Sequence, residues 1–171
     1  MSPCKRHLYA LPLALMLNQT AHAENVRLHG ALVAEPCVIT PGGESMILDF
    51  GTVIDKDLYV HQRTRGQPFD IRLTGCDANL GKTVKVTFSG AESLHLAGML
   101  AIDGKGIAIG METPAGQKLP LNKPGEGIRL VNGSNTLTMV AFVQGEPVAI
   151  ANKTIERGPF SAIATFRLDY E

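Results

Sequence analysis

The chain has 171 residues, 44% of them hydrophobic, 5% aromatic and 19% charged, with 16 basic residues balancing 16 acidic ones. This length suits one globular domain with a single core and is short for two. The neutral balance excludes a nucleic-acid footprint and a polybasic membrane patch, and the absence of tryptophan argues against a stacked-sugar site.

Lys5, Arg6 and His7 precede an apolar run from Leu8 to Leu17, and Gln19-Thr20-Ala21-His22-Ala23 offers a small-x-small cleavage site. This pattern predicts a signal peptide over residues 1–23, with Glu24 as the first mature residue. A spanning helix would need about 20 apolar residues, roughly twice the run present. Cys4 lies in the charged leader, so it leaves with the signal and does not mark a lipid anchor. Without Lys5 and Arg6 the balance is 14 basic against 16 acidic residues, a net charge of −2.

Residues 24–35 (ENVRLHGALVAE) alternate: Val26, Leu28, Gly30 and Leu32 share one face, an apolar ridge interrupted by one glycine. Read alone, the stretch is either an ordinary first strand with Gly30 at a bulge or a detachable strand that inserts into another subunit. Cys37 and Cys76 follow. In an oxidising compartment such a pair forms a disulfide by default, and its spacing is not that of a redox CxxC motif.

Short alternating runs then recur. Met46 to Val53, Phe69 to Thr74, Thr83 to Ser89, Gly106 to Glu112 and Asn135 to Gln144 are predicted strands. Turn residues divide them at Pro41-Gly42-Gly43, Asp103-Gly104, Lys123-Pro124-Gly125 and Asn132-Gly133-Ser134. No amphipathic helix of useful length is expected, although Ala91 to Leu100 could form a short one. The last fourteen residues, Gly158 to Glu171, read as one long strand. Ala162, Ala164, Phe166, Leu168 and Tyr170 lie on one face, with Ser161, Ile163, Thr165, Arg167 and Asp169 on the other. Such a strand needs a neighbour, supplied by an earlier segment or by another molecule. Many short strands with a disulfide indicate an all-β, immunoglobulin-like sandwich of antiparallel sheets.

Catalysis is not expected. The mature histidines, His29, His61 and His95, are scattered without metal-ligand spacing, and there is no G-x-S-x-G elbow. Asp55, Asp57 and His61 form the nearest polar cluster, in what reads as a solvated loop. Asp103-Gly104-Lys105-Gly106 lacks Walker spacing and reads as a hairpin turn. No metal, cofactor or small-molecule substrate is expected.

The whole mature chain resembles the pilin subunits of chaperone-usher fimbriae. The features that carry the resemblance are the signal peptide, the alternating extension with central Gly30, and Cys37 soon after it. Cys76 closes the segment FDIRLTGC, and the chain ends with Gly158 fourteenth from the end and Tyr170 penultimate. The wording RLHGALVAEPC and the FDIRLTGC stretch look most like minor linking subunits of the P-pilus kind.

The resemblance implies an incomplete immunoglobulin-like sandwich lacking its last strand, with an apolar groove beside the final one. Residues 24–35 become a donor-strand extension and residues 36–171 the pilin domain. Val26, Leu28, Gly30 and Leu32 form the donor ridge, while Gly158, Phe166, Leu168 and Tyr170 border the acceptor groove or the chaperone contact. The implied partners are a periplasmic chaperone, an outer-membrane usher and neighbouring fimbrial subunits, and the destination is the cell-surface fimbrium. A shaft or terminating subunit is the alternative within the family. In a different class stands a self-contained periplasmic binding module whose N-terminal strand pairs internally.

Overall fold

The computed structural model describes residues 34–171, and they form two antiparallel sheets packed face to face. The expected signal peptide and donor ridge, including Val26, Leu28, Gly30 and Leu32, lie outside the described residues. In chain order the elements are β1 (Val38–Ile39), α1 (Asp55–His61), β2 (Gln67–Cys76), β3 (Thr83–Ser89), β4 (Leu100–Ile102) and β5 (Ile107–Glu112). They continue with β6 (Ile128–Arg129), β7 (Gly133–Gly145), α2 (Pro147–Asn152) and β8 (Thr165–Tyr170). One sheet runs β1-β2-β7-β5-β4 and the other β6-β3-β8.

Alternation along the strands builds the core between the sheets. In β7, Leu137, Met139, Ala141 and Val143 are buried on the inner face, and Ile71 and Leu73 of β2 join them. Val84, Val86 and Phe88 of β3 supply the opposite wall. Cys37 and Cys76 are bonded across β1 and β2, stapling the short first strand to its neighbour.

A smaller apolar cluster lies on the outer face of the larger sheet, where Met99, Ala108 and Phe142 pack together. Phe142 stands opposite Gly110, and a Cβ there would overlap the phenyl ring. The Arg63 guanidinium lies 3.5 Å over the same ring and donates two hydrogen bonds, of 2.7 and 3.0 Å, to Glu112. Those bonds hold the Glu112 carboxyl below its ordinary value, against the opposing effect of burial.

Three local expectations are corrected, and one helix was not foreseen. Met46–Val53 is not a strand: it pairs with nothing in the sheets, and its chain turns where Gly51 N–H donates to Asp49 Oδ1 at 2.7 Å. The expected loop carrying Asp55, Asp57 and His61 is helix α1, whose two acidic residues in the first turn suit the helix N-terminus and whose Leu58 enters the core. Its short length leaves one buried residue, too little periodicity to read. The second helix, α2, starts at Pro147 and buries Ala149. Ala91–Leu100 is irregular instead of helical, because Ser93 Oγ accepts the N–H groups of His95 and Leu96 and Glu92 bridges back to Leu100.

Candidate strand-acceptor groove

The fourteen-residue terminal strand predicted from Gly158 is ordered as a strand only from Thr165. From Thr165 to Tyr170, β8 pairs along one edge with β3, in a register that runs from Ser89↔Thr165 to Val84↔Tyr170. Its end is held firmly: Glu171 exchanges backbone hydrogen bonds of 3.0 Å with Thr83, and Lys85 reaches its carboxylate at 2.6 Å. The opposite edge of β8 faces no strand among the described residues.

A hollow of about 680 Å³ opens along that edge. Its floor is core: Phe88, Leu100, Ile109, Met111 and Ala141 are buried and Phe69 meets Phe88 edge to face, with ring centres 6.0 Å apart. One wall is the extended stretch 44–50, in which Leu48 and Phe50 turn inward while Ile47 is 97% exposed. The other wall is 162–166, where Ala162 and Phe166 are half-buried and Ile163 is 87% exposed. Phe50 and Phe160 reach toward each other, ring centres 6.3 Å apart. Beyond Leu100, Ala162 and Ile163 the hollow continues into a second, more polar recess beside Asp103, Lys105 and Ser161.

The shape is a slot over an apolar floor, between 44–50, which joins no sheet, and 162–166, which pairs with β3 from Thr165 on. Among the described residues each wall has one edge of N–H and C=O groups without a strand partner, and one further strand would satisfy an edge of that kind. Among the described residues that line it, Glu44 alone is ionisable. Among the described residues no group of three or more metal-ligating side chains is assembled. Asp55, from the expected polar cluster, is instead held ionised by two hydrogen bonds from Arg157, which lower its carboxyl further than burial raises it.

Of the four residues expected at the acceptor groove or the chaperone contact, Phe166 lies in the lining of the hollow. Leu168 and Tyr170 do not reach the hollow; they are half-buried against the core, and burial, together with the nearby Glu35 carboxylate, raises the Tyr170 phenol above its ordinary value. Gly158 is outside the lining too. It adopts φ +119°, a conformation open to glycine and strained for other residues, directly after the Arg157–Asp55 ion pair. Ile47, Leu48 and Phe50 were not singled out beforehand, although their alternation was legible and their exposure was not.

With this geometry in view, comparison with known proteins is decisive, since the family description "Fimbrial protein" matches residues 26–171. The chain belongs to the fimbrial protein family. It is 32% identical over 148 residues to the putative minor fimbrial subunit PmfF of Proteus mirabilis, covering 83% of this chain and 81% of that one. It is 31% identical over 160 residues to the fimbrial adapter PapK of Escherichia coli, covering 88% and 89%. A solved chaperone-usher pilus, described as revealing the basis of rod uncoiling, superposes with TM-score 0.70 at 25% identity, covering 91% of this chain and all of that one. The fimbrial subunit thus shares the incomplete immunoglobulin-like fold of chaperone-usher pilins.

Proposed function

We propose that this subunit is assembled by donor-strand exchange, its groove receiving the extension of one neighbour while its own residues 24–35 enter the groove of another. The observation that carries this reading is the apolar slot along the unpaired edge of β8. Strand addition there would satisfy both backbone walls, and alternate apolar side chains would set the register. Burying Val26, Leu28 and Leu32 of a donor would each contribute about 1.5–3 kcal/mol before ordering costs. Gly30 would lie where the receiving groove is too shallow for a side chain.

Before assembly, a periplasmic chaperone would lend the missing strand, and exchange would take place at an outer-membrane usher. Residues 1–23 would direct export, and the fimbrium at the cell surface is the destination. Among positions in the fibre, we favour a minor subunit linking tip and shaft, supported by the likeness to PmfF and PapK. A shaft position is the second reading, favoured by the overlay on a pilus whose rod was studied.

The test is thermal unfolding of disulfide-bonded 36–171 with a peptide spanning 24–35, and with the same peptide bearing Gly30→Arg. A large rise in Tm with the native peptide, lost with the arginine variant, is the expected result. A stable monomer indifferent to both peptides would show the fold to be complete, and a self-contained binding module would replace the pilin mechanism.

A further inference from the structure

The loop after β2 presents Leu80 on a rigid support. Asp77 N–H donates to Pro36 O at 2.8 Å, Leu80 N–H to Asp77 O at 3.1 Å, and Asn79 N–H to Asp77 Oδ1 at 2.9 Å. Two further bonds bind this loop to the stretch before β7: Ala78 N–H to Asn132 Oδ1 at 2.8 Å, and Leu130 N–H to Lys82 O at 2.9 Å. Leu80 lies between Ala78 and Lys82, and Val131 lies between Leu130 and Asn132, so the two bonded pairs bracket both residues. Each is 58% exposed, and Asn79, Lys82 and Asn132 surround them with polar surface. Singly exposed apolar residues need no explanation. Bracketed by the bonded pairs on two adjoining stretches, Leu80 and Val131 form a small apolar centre with a polar rim, the anatomy of a contact surface.

We propose that Leu80 and Val131 dock against the fimbrial subunit whose groove receives residues 24–35, an inference that rests on the donor-strand reading above. The place of the patch identifies the partner. Gly81 backs directly onto Pro36, where a Cβ would come within 2.7 Å of the proline ring and 3.4 Å of the Tyr170 side chain. Pro36 is thus fixed beside the patch, and Leu32, the last residue of the donor ridge, is four residues before it. Fully extended, four residues span at most about 14 Å. A neighbour that grips Leu32 in its groove therefore brings the rim of that groove up to the surface around Pro36. The hydrogen-bonded loop makes the contact at little ordering cost and would set the angle between the two subunits.

The experiment places the photo-crosslinker p-benzoylphenylalanine in the full chain, one position at a time, during fimbrial assembly in cells. The positions are Leu80, Val131, Leu28 in the donor ridge, and Leu94, which is 96% exposed elsewhere. Adducts are sized and identified by mass spectrometry. The expected result is that Leu80 and Val131 capture the same subunit that Leu28 captures, several-fold more than Leu94 does. Using both patch positions guards against a probe that disturbs one loop. An adduct at Leu28 with none at either patch position overturns the patch and leaves donor-strand exchange standing. Capture of a different protein, or capture by Leu94 in equal yield, also overturns the patch. No adduct at Leu28 overturns both readings.

Discussion

β7 and β8 are strands of the same kind, alternating runs with an apolar inner face, yet they occupy opposite situations. β7 is paired on both edges, with β2 from Gln67↔Ala141 onward and with β5 from Ile107↔Gly145 to Glu112↔Val140. β8 is paired on one edge alone among the described residues. The stretch before β7 is tied by Asn135, which accepts from and donates to Val131, whereas 158–164, before β8, lies in no strand or helix. The comparison teaches that alternation specifies a strand and its buried face, while neighbours decide whether the strand is finished. On the donor-strand proposal, the unfinished strand is where another chain would enter.

Two phenylalanines put numbers on that difference. Phe142 on β7 is 2% exposed, pressed against Gly110 and Arg63, so Phe142→Ala should destabilise the subunit by about 3–5 kcal/mol in urea unfolding. Phe166 on β8 is half-buried over the open groove, so Phe166→Ala should cost about 1 kcal/mol, a fraction of the value for full burial. With the 24–35 peptide bound, the cost at Phe166 should rise and that at Phe142 should stay. Equal costs at both sites without peptide would mean that the β8 flank is already closed.

The disulfide tests the first strand. β1 has only two residues in its ladder, so the bond between Cys37 and Cys76, 39 residues apart, reinforces the few hydrogen bonds that hold it, such as Thr40 N–H to Arg72 O at 2.9 Å. Replacing both cysteines with alanine should cost about 4 kcal/mol in the loop-entropy model. The loss should appear as a lower urea midpoint, with β1 and the 44–50 wall the first to exchange backbone hydrogens.

Strands with partners on both edges were legible in the sequence. Thr83–Ser89 is β3 as expected, and Gly106–Glu112 and Asn135–Gln144 coincide with β5 and β7 to within two residues at each end. Alternation could be trusted there because both the face and the edges are satisfied within the chain. It misled at Met46–Val53 and at 158–164, where the pattern is present but no strand lies alongside to complete the ladder. Both stretches contribute residues to the groove walls, Met46 to Phe50 on one side and Ala162 to Ala164 on the other, so the misreading falls at the edge left unpaired among the described residues. The helices were missed for the opposite reason, since α1 buries Leu58 and α2 buries Ala149, too few residues to give a period. Phe166 belongs both to the alternating face and to the lining of the hollow. Leu168 and Tyr170 share the face but sit beyond the hollow, a distinction of depth that no periodicity carries.

On the finished side of the molecule, Glu112 gives an effect that depends on pH. Arg63 holds its folded carboxyl below the ordinary value of 4.5. A depressed carboxyl contributes stability that is present above the unfolded value and is lost as pH falls through the folded one. Glu112→Gln should therefore lower stability at neutral pH by up to about 1 kcal/mol, since Arg63 is partly exposed, and leave stability less affected below about pH 4. Urea midpoints of the two proteins that differ equally at neutral and acid pH would assign the loss to packing around Phe142 instead of to the ion pair.

Tyr170 should give the smallest effect and the finest discrimination. Burial raises its phenol above the ordinary value of 10.0, and Glu35 adds to the shift. The neutral phenol is therefore favoured by folding, so its contribution is complete below about pH 10 and is lost as pH climbs through the raised value. Tyr170→Phe should flatten the alkaline fall in stability while leaving the neutral value nearly unchanged, as read from urea midpoints on either side of about pH 10. Repeating the pair of titrations with the 24–35 peptide separates the two sides of β8. A steeper alkaline fall in the wild-type complex would mean that the incoming strand covers Tyr170 and extends the groove beyond Phe166. An unchanged fall would leave Tyr170 with β3, Pro36 and Gly81, on the flank that the chain completes by itself.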